Sequence, residues 1–153
     1  MSLSVKFTTS LEQRAKAASE AAAAAVFAEL NRRFQDAIGA KVWNWPRATK
    51  RTGGVIPAGP RNIVDRSILK NSNPGPQING LKVEYRWAEP YASFVHEGAR
   101  IYPYGDKTRK RVLLPARPWT SAVLGTVKVS GIEVYPMADR FKKLWLQRFR
   151  GNA

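Results

Sequence analysis

The sequence predicts an α+β fold: a long N-terminal helix and a C-terminal helix packed on a small, mostly antiparallel β-sheet. Three observations carry this expectation. Residues 11–38 contain no glycine or proline and are rich in alanine, the best helix former. Leu81, Val83, Tyr85 and Trp87 alternate with Lys82, Glu84 and Arg86, the period of two that marks a half-buried strand. Met137, Phe141, Leu144, Trp145 and Phe149 recur at helical spacing near the C-terminus.

The elements follow in order. Ser10 and Gln13 make a capping box, in which the hydroxyl serves one orphan N–H and the amide reaches back. The helix over 10–38 then carries Leu11, Ala15, Ala18, Ala22, Val26, Leu30 and Phe34 along one side. Its length of about 28 residues corresponds to roughly 42 Å, more than a small domain covers. Its first half offers only alanine on that side, so Ala15, Ala18 and Ala22 are expected to pack on a neighbouring subunit. A helix lying over its own sheet with a frayed start is the alternative.

Residues 39–60 read as an extended loop, broken by Pro46, Gly53, Gly54, Pro57, Gly59 and Pro60. Trp43 and Trp45 are expected to anchor this loop to a core or to a partner's pocket. Stacking on nucleic-acid bases is the other use of such residues.

Residues 61–153 form the α+β core of what reads as a single domain, 1–153. Asn79-Gly80 signals a hairpin turn before the alternating strand. Its partner strand falls between Ser67 and Ile78, where Pro74 and Pro76 confine it to an edge. Pro90 opens a short helix with Tyr91, Phe94 and Val95 on one side, and Gly98 is placed for a left-handed cap. Arg111–Leu114 reads as a short strand. Pro118 starts a second short helix from Trp119 to Leu124, and Val127–Val129 or Ile132–Tyr135 offers one more strand. The helix from Met137 closes the chain, with its apolar stripe in the core or at an intersubunit face. The expected core side chains are Tyr85, Trp87, Tyr91, Phe94, Trp119, Phe141 and Trp145, with Trp119 near Tyr91 or Phe94.

Composition narrows the function. A hydrophobic content of 44% supports a folded core. The absence of cysteine excludes disulfides, thiol nucleophiles and thiolate metal sites. Met1–Ser10 has one lysine and no apolar segment, so no signal peptide is expected. No run approaches the ~20 apolar residues of a membrane span, and no membrane partner is expected. His96 is the one histidine, and it lacks the second histidine of a zinc-protease helix. Ser93 lies three residues before it without a third group to orient the base. No glycine-rich phosphate loop occurs. No enzyme, metal or cofactor is expected, and His96 is read as a structural hydrogen-bonding residue.

Charge is the second strong signal. Lys and Arg number 26 against 11 Asp and Glu, a net charge of +15. Proteins this basic meet polyanions. The cations cluster at Arg47, Lys50 and Arg51, at Lys107, Arg109, Lys110 and Arg111, and along the last helix. Gly98 and Pro103 lead the chain out and Gly105-Asp106 supplies a turn, so the second cluster should form an exposed tip around Tyr104. That tip is expected to face DNA or an acidic partner.

Three segments together resemble a family. Arg61-Asn-Ile-Val-Asp65 with Ser67-Ile-Leu69, then Tyr91-Ala with Val95-His-Glu-Gly98, then Pro115-Ala-Arg-Pro-Trp119 resemble the small neck and tail-completion proteins of tailed bacteriophages. In that family a segment of the type Asp-Thr-Gly-x-Leu-x-x-Ser precedes Tyr-Ala-x-x-Val/His-x-Gly and then Pro-Ala-Arg-Pro-Phe/Trp. Asp65, Leu69 and Ser72 fit the first pattern, while Arg66 and Ser67 stand where the family has Thr-Gly. The likeness covers roughly residues 57–125. It implies a structural virion protein, a tail-completion, terminator or neck component at the head–tail junction. Such a protein forms a closed homo-oligomeric ring, of six or twelve copies, around the path of the genomic DNA. It touches connector or stopper and tail-tube proteins above and below, and assembles in the host cytoplasm. Arg117 is then expected at a subunit interface or on the carboxylate of Glu97. Two other classes compete: a free basic nucleic-acid-binding protein, which charge and interleaved tryptophans favour, and a small nuclease or lysis factor, which one histidine and scattered carboxylates disfavour.

Overall fold

The computed structural model describes residues 5–64, 66–102 and 106–151. The fold is α+β, with a long N-terminal helix, a C-terminal helix and small antiparallel sheets. Helix α1 (Val5–Gly39) leads into four three-residue strands, β1 (Trp43–Trp45), β2 (Thr49–Arg51), β3 (Gly54–Ile56) and β4 (Gly59–Arg61). Then come α2 (Ile68–Asn71), the hairpin β5 (Gln77–Asn79) and β6 (Lys82–Glu84), α3 (Ala92–Glu97), β7 (Ala99–Ile101), β8 (Val112–Leu114), α4 (Trp119–Leu124) and α5 (Met137–Gly151). The strands do not merge into one sheet. They pair as four separate antiparallel ladders, β1 with β4, β2 with β3, β5 with β6 and β7 with β8.

The chain gathers into two compact units, one of Met1–Arg32, Gly75–Tyr85 and Pro136–Ala153, the other of Arg33–Pro74 and Arg86–Tyr135. In the first, α5 lies along the alanine-rich part of α1. Trp145 Nε1 donates to Ser19 Oγ at 3.0 Å, Arg140 Nε donates to Glu29 Oε2 at 2.9 Å, and the Arg14 guanidinium sits over the Phe149 ring at 5.6 Å. Tyr85 donates its hydroxyl to the Phe27 carbonyl at 2.7 Å. Ala18 and Ala22 are 1% and 0% exposed. The chain itself therefore covers the stripe for which the sequence suggests a neighbouring subunit. Ala15 is half-buried and Leu11 is exposed at the stripe's end.

Two further expectations for this unit change. The helix begins at Val5, so Ser10 lies inside it rather than at its N-cap. Helix α5 starts at Met137 as its stripe predicts, yet none of its residues is fully buried. Phe141 and Trp145 are half-buried, and Trp145 stacks on Phe149 at 4.9 Å. Opposite a narrow strip of alanines, one long aromatic-bearing helix face cannot be sealed from water on both flanks.

In the second unit the core is Phe34, Ile38, Trp43, Ile63, Leu69, Ala92, Trp119, Ala122, Val123 and Tyr135. Phe34, Trp87, Trp119 and His96 form a chain of edge-on rings with centroid spacings of 5.9, 5.5 and 4.7 Å. Residues 39–60 are not the extended loop expected. They fold back as an interrupted hairpin arm, with the β2–β3 ladder nested beyond the β1–β4 ladder. Strands of three residues are too short to show alternation, and their glycines hide them further.

The strand expected over Leu81–Trp87 forms a ladder only at Lys82–Glu84, although the alternation in burial runs on through Tyr85 and Trp87. Residues 127–129 and 132–135 form no strand; Tyr135 instead donates its N–H to the Val123 carbonyl at 2.8 Å and buries its ring. No helix among the described residues is long and apolar enough to cross a membrane.

Candidate functional site

The hairpin arm and the Pro115–Trp119 turn place three arginines around one indole. Trp45, half-buried on β1, has the guanidinium carbons of Arg117, Arg61 and Arg51 at 3.8, 4.3 and 5.1 Å from its ring centroid. Each arrives by a different route. Arg51 ends β2 and is held by the Asn62 side chain (2.9 Å), the Asn62 carbonyl (2.8 Å) and the Val64 carbonyl (2.5 Å). Arg61 ends β4 and donates to Thr49 Oγ1 at 2.8 Å and to the Ile56 carbonyl at 3.2 Å.

Arg117 is fixed by its backbone. Its N–H is shared between the Val95 and His96 carbonyls at 3.0 and 3.1 Å. The prolines on either side restrict the chain to extended geometry there. Its side chain is 1% exposed, yet Nε and Nη1 have no partner and Nη2 reaches only the Asn44 carbonyl, at 3.5 Å.

Among the described residues no carboxylate touches any of these three guanidiniums. The indole face supplies the compensation, each cation over a ring contributing about 0.5–2 kcal/mol by quadrupole attraction. That leaves a strained balance. Burial first, then the nearby Arg61 and Arg51 charges, pull the Arg117 pKa down to about 10, and burial followed by Arg51 lowers that of Arg61. Beside this cluster a pocket of about 380 Å³ opens between the arm and the β7–β8 ladder. Its walls are Trp45, Pro46, Ile101, Val112, Leu114, Pro115 and Arg117, with Arg47 and Lys50 also lining it.

The second half of the site is a clasp between α3 and the start of α4. Gly98 has φ 80° and ψ 160°, so it does not take the left-handed cap expected of it. A Cβ there would lie 2.8 Å from Ala116 N and 2.9 Å from the Leu114 carbonyl, so only glycine lets the two segments touch. His96 Nε2 hydrogen-bonds Thr120 Oγ1 at 2.7 Å, and its ring meets the Trp119 ring edge-on. Burial lowers the His96 pKa and Glu97 partly offsets this.

This clasp overturns three expectations. Trp119 is buried at 2% exposure, but its ring neighbours are Trp87 and His96, not Tyr91 or Phe94. Tyr91 and Phe94 are 40% and 53% exposed and do not belong to the core. The more buried side of α3 is Ala92, Val95 and His96. Glu97 is exposed and Arg117 turns to Trp45 instead of to that carboxylate.

The remaining predicted residues fall in two places. Trp43 is buried and donates Nε1 to the Ala37 carbonyl at 2.7 Å, an anchor for the arm that leaves its ring no face for a base. Lys107, Arg109, Lys110 and Arg111 are all exposed. Arg109 pairs with Asp106 at 3.1 Å, Arg111 lies over Tyr102 at 4.9 Å, and Asp106 accepts from the N–H and hydroxyl of Thr108. Asp65 and the tip residues Pro103, Tyr104 and Gly105 lie outside the described residues.

Sequence reasoning missed the gathering of Arg51, Arg61 and Arg117 on Trp45. The sole available signal was three arginines in segments already singled out for glycine, proline and tryptophan. Compared with known proteins, the chain matches no family model, no curated protein and no solved structure.

Proposed function

We propose that this chain is a structural component of a tailed-phage virion, acting at the head–tail junction as a neck, terminator or tail-completion protein. It works by assembly: copies close into a ring by heterologous contacts, with connector and tail-tube proteins above and below and genomic DNA through the centre.

The observation that carries this reading is the clasp. Two of the segments that resemble the family, Tyr91–Gly98 and Pro115–Trp119, meet through the shared Arg117 N–H and the bare Cα of Gly98. Ser67 adds to it. Where the family has glycine, this residue holds φ 59°, the left-handed conformation glycine favours. A motif set that serves one another's geometry is what a shared fold requires.

Electron microscopy and sedimentation of the purified chain at rising concentration test the reading. Discrete closed rings are the expected outcome. The net charge of +15 favours a second reading, a free nucleic-acid-binding protein. A chain that stays monomeric at every concentration, and binds duplex DNA with a steep salt dependence, would establish that reading and overturn the first.

A further inference from the structure

We propose that the pocket beside Trp45 and Arg117 is a docking site for an acidic polypeptide segment of another protein, a carboxylate side chain flanked by apolar residues. The inference does not rest on the neck reading.

It begins with an imbalance. Arg117 is buried, charged and short of partners, with Nε and Nη1 unbonded and Nη2 held only at 3.5 Å. A buried cation without a carboxylate is costly, and Arg51 and Arg61 add like charge on the same indole. Nothing in the fold requires that cost, since the turn is fixed by the Arg117 backbone N–H and the two prolines. A carboxylate accepting from Nη1 would satisfy one of the two free donors and offset part of the cost of the buried charge.

The walls describe the rest of the occupant. Ile101, Val112, Leu114 and Pro115 are apolar and suit aliphatic neighbours of the acidic side chain. Leu113, also lining the pocket, is 68% exposed and Ile101 37%, a cost to the free surface that a docked segment would remove. Arg47 and Lys50, exposed and on the same pocket, attract a chain of net negative charge.

Two other occupants fit less well. A nucleic-acid backbone would have to bring its phosphate to an arginine only 1% exposed through an apolar wall. A second copy of this chain carries +15 and is repelled at the same basic mouth. A single acidic side chain needs less room at that wall than a phosphodiester backbone, its apolar neighbours match the wall, and the basic mouth attracts it.

The test uses the full chain and the peptide acetyl-Asp-Leu-Glu-Leu-Asp-amide, with a version in which glutamine replaces the central glutamate. Binding is followed by calorimetry and by the NMR signal of the Arg117 side-chain Nε–H. Saturable binding of the first peptide, a shift of that signal, and at least about tenfold weaker binding of the glutamine version are expected, a factor of ten being 1.4 kcal/mol. Arg117→Lys should weaken binding similarly with unchanged circular dichroism. Should Arg117→Lys fail to fold, Lys50→Ser with Arg47→Ser at the mouth should still reduce affinity severalfold. Equal binding of the two peptides, no binding of either, displacement of the peptide by duplex DNA through the Arg117 signal, or self-association that occupies that signal would each overturn the proposal.

Discussion

Ser67 and Arg66 hold φ values of 59° and 53°, the positive-φ residues other than glycine among those described. A side chain in that region crowds its own carbonyl and costs roughly 1–2 kcal/mol. Ser67 recovers none of it, since its hydroxyl makes no cap bond to α2. We therefore expect Ser67→Gly to stabilise the protein by about 0.5–1 kcal/mol in urea unfolding, the relief of strain exceeding the added freedom of the unfolded chain. Ser67→Ala, which keeps the Cβ, should give no such gain. His96 is the other residue whose environment makes a measurable demand. Its pKa in the fold lies below the ordinary 6.5, so the unfolded chain takes up the proton first as pH falls. The neutral ring's contribution is complete above pH 6.5 and is lost as pH drops through the depressed value. Melting temperature should fall from pH 7 to pH 5 more steeply in the wild type than in His96→Gln, which keeps a polar atom near Thr120. Parallel profiles would show that burial of the imidazole does not set the slope.

At the scale of elements, α1 carries the sharpest reversal. The stripe Ala18–Ala22 suggests a waiting neighbour because alanine buries little surface, but the chain itself already buries both positions. Both positions being sealed, Ala18→Glu with Ala22→Glu should cost roughly 3–5 kcal/mol by placing unpaired charge in the core. The measurement is a circular-dichroism melt of the double variant. An unchanged melt with abolished self-association would restore the intersubunit role. The same contrast explains what was legible in the sequence. Long elements announce themselves through many repeats of a period, so α1 is found although it starts five residues before the expected Ser10, and α5 starts at Met137 where its stripe begins; the short α4 is marked instead by Pro118 before it. Three-residue strands hold too few positions to establish a period, and the arm from Trp43 to Arg61 looked like a loop for that reason. Helix α3 starts at Ala92, two residues after the Pro90 expected to open it, and turns a different side inward. With six residues, its inward side is decided by what packs on it, here Trp119 and the Arg117 N–H, and not by its own pattern. The cluster on Trp45 depends on residues up to 73 positions apart meeting, such as Asn44 with Arg117, and no local signal encodes them.

For the whole molecule, the governing quantity is a charge of +15, and what distinguishes its regions is which cations meet an anion. Those near Trp45 are engaged by the indole and by backbone carbonyls, and Arg14 and Arg140 by Phe149 and Glu29. The tip is different. Lys107, Arg109, Lys110 and Arg111 stand exposed within five residues, with Asp106 offsetting one charge and Tyr102 steadying another. Their contribution to stability is small, since exposed ion pairs contribute about 0–1 kcal/mol. Replacing all four with serine should therefore shift the melting temperature by only a few degrees. Its effect on function should be large if the tip faces the DNA path. Each phosphate left without its cation lowers the slope of log affinity against log salt by about 0.9, so four of them would flatten it by roughly 3–4. The comparison is between the wild type and the variant, titrated with duplex DNA from low to physiological salt. An unchanged slope with undiminished affinity would exclude the tip from DNA contact and leave an acidic protein surface as its partner, whereas a flattened slope with an unchanged melting curve assigns those four cations to phosphate.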